Sequence, residues 1–94
     1  MATEKIMVVH RPSDGKWIVV PGVKVLSPGD TVVWKFVNCK SFAFDPPPAM
    51  FEKISKTAKT VEATVKPNPG YCDLDIRCEG IPAEGHSSPG IIID

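Results

Sequence analysis

Residues 28–38 read Pro28-Gly29-Asp30-Thr31-Val32-Val33-Trp34-Lys35-Phe36-Val37-Asn38. In such a turn proline presets φ and glycine supplies a positive φ. The run that follows puts Val32, Trp34 and Phe36 on one side and Thr31, Val33, Lys35 and Val37 on the other. Period two predicts a strand, and apolar residues on both sides predict one more deeply covered than its neighbours. Working outward, residues 57–66 set Val61, Ala63 and Val65 against Thr60, Glu62, Thr64 and Lys66. Residues 72–79 likewise set Cys72, Leu74, Ile76 and Cys78 against Asp73, Asp75, Arg77 and Glu79. Both read as strands with one buried and one wet face. Shorter strands are expected at residues 5–10, 16–20, 23–26, 41–44 and 90–93.

Further turn signals fall between these runs, at Ser13-Asp14-Gly15, Pro21-Gly22 and Asn68-Pro69-Gly70. Turns this frequent between short strands predict a sandwich or barrel and not a parallel α/β sheet. Only residues 49–55, after three prolines, look helical, with Met50, Phe51 and Ile54 able to face a core. The expected fold is therefore all-β: one two-sheet antiparallel Greek-key β-sandwich over residues 1–94, with a short helical turn near 49–55.

A length of 94 residues suits one small domain. The 10 prolines and 7 glycines are scattered as turn punctuation, which argues against a disordered tract. With 11 basic and 11 acidic residues and no basic cluster, nucleic-acid binding has no electrostatic support. No apolar run approaches the ~20 residues of a membrane span. The amino terminus enters a strand-like run without a signal peptide, as a cytosolic protein or a mature or excised domain would. Three cysteines are too few and odd in number for a disulfide scaffold. The lack of a Cys-x-x-Cys pair argues against a zinc ribbon or thioredoxin-type site. No catalytic triad, phosphate loop or two-histidine helix is recognisable.

The layout of residues 5–38 resembles the first half of plastocyanin- and azurin-like cupredoxins, where a Gly-Asp turn opens a strand ending in Asn. Lys40-Ser41-Phe42-Ala43-Phe44-Asp45 is similar to the segment in which a ligand histidine precedes an apolar strand. Cys78, Gly85-His86-Ser87 and Gly90-Ile91-Ile92-Ile93 resemble the loop and last strand that carry the Cys, His and Met ligands. The resemblance implies a cupredoxin-like domain, copper as the cofactor, and an exported or periplasmic mature protein. It also implies a divergent member with an incomplete type 1 ligand set. Such a site needs two imidazoles, a thiolate and a weak axial donor. Lys40 stands at the first imidazole's position and Ser88 near the axial thioether's, while Cys78 and His86 match the remaining two. Cys39 and His10 are substitute donors, and a Cys39/Cys78/His86 set would be soft, favouring Cu(I) or zinc.

Each candidate has a plainer reading. Cys78 on an apolar strand face reads as a small hydrophobe. His86 reads as a solvated loop histidine, His10 as a strand-end residue and Cys72 as core. Cys39 reads as a turn cysteine, or as a disulfide partner of Cys78 in an oxidising compartment. Trp17 and Trp34 read as core aromatics whose indole N–H is satisfied at an edge.

Three functions follow from these residues. The first is a non-catalytic binding or structural module with a degenerate metal pocket, contacting a protein partner through loops at one pole. The second is an atypical copper protein for copper handling or electron transfer. The third is an excised domain of a larger copper oxidoreductase.

Overall fold

Residues 2–20, 23–83 and 90–93 are described by this computed structural model. The run that opens the reading is β4 (Thr31–Phe36). It lies between β1 (Thr3–Arg11) and β7 (Thr60–Val65), at the centre of a five-stranded sheet whose edges are β2 (Lys16–Val20) and β6 (Phe51–Lys56). Alternation is obeyed in full here: Val32, Trp34 and Phe36 are at most 2% exposed. Their neighbours on the same face are Ile6 and Val8 of β1 and Val61, Ala63 and Val65 of β7, all buried. Trp34 meets Phe44 edge-on at 4.9 Å and Phe51 at 5.4 Å between ring centroids.

The opposing layer consists of two short ladders. In one, β11 (Gly90–Ile93) lies between β3 (Val23–Leu26) and β8 (Gly70–Asp73). In the other, β9 (Arg77–Cys78) lies between β5 (Phe42–Ala43) and β10 (Ile81–Pro82). Leu26, Leu74, Ile76, Cys78, Ile91 and Ile93 from this side join the same buried cluster as β4. The expected all-β sandwich is the fold observed.

Three details differ from the sequence reading. Two strand pairings are parallel, β1 with β4 and β3 with β11. The chain leaves the first sheet after β2, pairs as β3 in the other layer, and returns as β4 running in the direction of β1. Next, residues 72–79 are not one strand. β8 pairs with β11, whereas β9 pairs with β5, and residues 74–76 carry the chain from one ladder to the other. Burial still alternates across the break, with Leu74, Ile76 and Cys78 inside. Finally, the helical turn near 49–55 is one tight turn followed by β6. The backbone N–H groups of Met50 and Phe51 both donate to the Pro47 carbonyl, at 3.1 and 3.0 Å. Pairing of Phe51 with Val65 then captures the chain as an edge strand, bulged between Glu52 and Ser55.

The turns follow their expected chemistry. At Ser13-Asp14-Gly15 the Asp14 carboxylate accepts from Arg11 and from the Lys16 backbone N–H, and Gly15 sits at φ 71°. At Pro28-Gly29-Asp30, the buried Asp30 carboxylate accepts the Ser27 and Ala2 N–H groups, each at 3.0 Å. These bonds, Ser27 first, hold Asp30 below its ordinary value of 3.8. A carboxylate depressed in the folded state contributes stability above its unfolded pKa and loses it as pH falls through the folded value. Unfolding followed from pH 7 downward will therefore show a loss of stability beginning below about pH 4. Asp30→Asn will blunt this acid loss and lower stability at neutral pH, because one of the two N–H groups then faces an amide nitrogen.

Candidate functional site

One pole of the sandwich gathers the residues singled out by the sequence. β4 ends at Phe36, and Asn38 at φ 56° turns the chain sharply, a left-handed conformation that Asn tolerates. This brings Cys39 beneath the surface, 8% exposed, and leaves Lys40 exposed on the bend. From the other side β9 delivers Cys78, 0% exposed, opposite Phe42 of β5 and Ile81 of β10. Glu79 and Gly80, both with positive φ (53° and 81°), form the two-residue turn between β9 and β10. Two positive φ values in a two-residue loop are those of a type I′ hairpin, in which glycine is favoured.

Cys39 lies close enough to Cys78 to help raise the pKa of its thiol. The Cys39 thiol donates to the Ser41 carbonyl at 2.9 Å, and the same oxygen accepts the Glu79 N–H at 2.8 Å. Burial pushes the Cys78 thiol well above its ordinary value of 9.0, and the nearby Cys39 adds to the rise. Cys78 is therefore a protonated thiol at neutral pH. Both cysteines, like Cys72, are free.

Beside the thiols opens a cleft of about 470 Å³, lined among others by His10, Trp17, Val37, Asn38, Glu79 and Ile81. Asn38 and Glu79, which line this cleft, are the chain neighbours of Cys39 and Cys78. His10, at the end of β1, packs on Trp17 of β2 with ring centroids 5.0 Å apart.

The structure thus brings Cys39 near Cys78 and leaves His10 exposed in the neighbouring cleft. His86 and Ser88 lie outside the described residues. Among the described residues no three His, Cys, Asp or Glu side chains are grouped to hold a metal ion. Ile81 stands across from Cys78 in the β9–β10 pairing, and Lys40 is exposed on the bend. Cys72 is half-buried on β8 and packs against the core. Trp17 and Trp34 are core aromatics, but the Trp34 indole N–H has no acceptor among the described residues, contrary to expectation.

Sequence reasoning missed the Glu79-Gly80 hairpin and the cleft. The signal for the first was present, a polar residue followed by glycine between two apolar positions. The cleft brings together β1, β2, the bend after β4 and the β9–β10 turn, and no local pattern encodes that meeting.

No protein-family model matches the chain, and no curated protein matches it in sequence. In structure the chain is similar to a solved pseudoazurin from Sinorhizobium meliloti, with a TM-score of 0.61 and 19% identity. The match covers 100% of this chain and 75% of that one. The chain has a cupredoxin-like fold.

Proposed function

From that fold, we propose that the protein is a non-catalytic cupredoxin-like binding module whose metal pocket is degenerate. The observation that carries the reading is the surroundings of Cys78. Its thiol is enclosed, held protonated by burial and set near a second thiol, with Ile81 as its strand partner. A lysine occupies the bend where the resemblance implies the first imidazole. Metal binding there must displace the proton that burial holds on Cys78. Recognition passes instead to the pole itself, where the cleft offers an indole, an imidazole, a carboxylate and aliphatic groups to a protein partner. No helix among the described residues is long and apolar enough to cross a membrane. In keeping with the resemblance, we assign the domain to an exported or periplasmic setting.

Expression in medium supplemented with copper and zinc, purification under reductant and metal analysis test this reading. The expected content is far below one metal per chain. One copper or zinc per chain would overturn it.

One observation favours a second reading. The Ser41 carbonyl and the Phe42–Cys78 pairing that draw Cys39 and Cys78 together would be a start for a soft Cu(I) site, for which His86, outside the described residues, is the third donor the sequence offers. In that case one equivalent of Cu(I) binds the reduced protein, and Cys78→Ser abolishes binding.

A further inference from the structure

Cys39 and Cys78 come from separate segments, the bend after β4 and strand β9, and are brought together where the Ser41 carbonyl accepts both the Cys39 thiol and the Glu79 N–H and where Phe42 of β5 pairs with Cys78. Cys72 lies on β8, in the other ladder of that layer. The chain between residues 39 and 78 includes β5, β6, β7 and β8, so a covalent link here would close a long loop. Neither metal binding nor partner recognition as proposed above uses the two sulfurs as a reacting pair.

We infer that Cys39 and Cys78 form a dithiol–disulfide site, oxidised by small-molecule disulfides and locking the bend after β4 to the β9–β10 hairpin. The order of attack follows from exposure. Cys39, 8% exposed, is nearer solvent than Cys78, at 0%. Its thiolate attacks the external disulfide, an S–S bond forms between Cys39 and one half, and the other half leaves as a thiol. Cys78 then gives up its proton and attacks the Cys39 sulfur, and the second half leaves as a thiol, taking up that proton. Two protein thiols are oxidised and one external disulfide is reduced to two thiols. The buried, neutral state of Cys78 makes the second step the slower one, since the thiolate is the nucleophile.

Locking these segments fixes one wall of the cleft, because Asn38 and Glu79 flank the linked residues. The oxidised and reduced forms then differ at the surface proposed for the partner. The inference rests on the Ser41 carbonyl and the Phe42–Cys78 pairing that draw the two cysteines together, and stands whether or not that partner reading does.

The test equilibrates the folded full chain with oxidised glutathione, quenches with acid, and counts thiols under denaturing conditions. The expected count falls from three to one, with peptide mapping joining the Cys39 and Cys78 peptides. Cys72→Ser should oxidise like the parent and retain no thiol. Cys39→Ser should form no link within the chain, retaining two thiols in the reduced state or one where a mixed disulfide forms. Three surviving thiols in the folded parent, or a link through Cys72, would overturn the inference. Because metal content is not read, this result is separable from that of the metal analysis.

Discussion

Trp34→Ala will lose about 3–5 kcal/mol of folding stability, read from denaturant unfolding of the two proteins side by side. Trp34 is 0% exposed on the central strand of the larger sheet and contacts Phe44 and Phe51. It is flanked in register by Ile6 of β1 and Val61 of β7. Truncation removes the largest buried side chain and leaves a void that two sheets cannot collapse to fill. Against a total of roughly 5–15 kcal/mol for an ordinary domain, that loss brings the chain close to unfolding. Trp34→Phe separates packing from polarity. It keeps a ring against Phe44 and Phe51 and deletes an indole N–H that has no acceptor among the described residues. An unsatisfied buried donor costs about 1–3 kcal/mol, which offsets much of the lost volume. Trp34→Phe will therefore fall within about 1.5 kcal/mol of the parent. Equal damage from both substitutions would contradict the packing described.

Ile76→Ala will cost about 2–5 kcal/mol, although Ile76 belongs to no strand. Ile76 is 1% exposed, and its carbonyl accepts the Ala83 N–H at 2.7 Å. It anchors the segment that carries the chain from β8 to β9, and so sets where Cys78 arrives. Ile54→Ala is the matched control. Ile54 is 39% exposed on the edge strand β6, and its truncation will change stability by less than about 0.5 kcal/mol. A helix over residues 49–55 would have turned Ile54 inward and reversed that expectation.

These two residues also show what the sequence carried and what it did not. Alternation at 31–37 and 60–65 marked the buried face correctly because period two reports which side chains meet the core. It does so again at Leu74, Ile76 and Cys78, across a break in the strand. Alternation says nothing of which neighbour a strand pairs with. The switch between ladders and the two parallel pairings were therefore invisible, being set by how the chain crosses between layers. At 49–55 the apolar spacing suggested a helix. Phe51 instead gained a strand partner in Val65, so the turn stops after one cycle. For the site, the sequence put Cys39 and Cys78 at one pole. Their approach depends on the bend at Asn38 and the hairpin at Glu79-Gly80, two positive-φ features of which only the glycine announces itself.

We propose that this pole holds a pair of cysteines beside a binding cleft in place of a metal centre. Titrating the fully reduced chain with Cu(I) against a chelator that competes in the nanomolar range tests it most directly. The chelator is expected to keep the copper, in the parent and in Cys78→Ser alike. Transfer of one equivalent to the parent at nanomolar affinity, lost in Cys78→Ser, would contradict it.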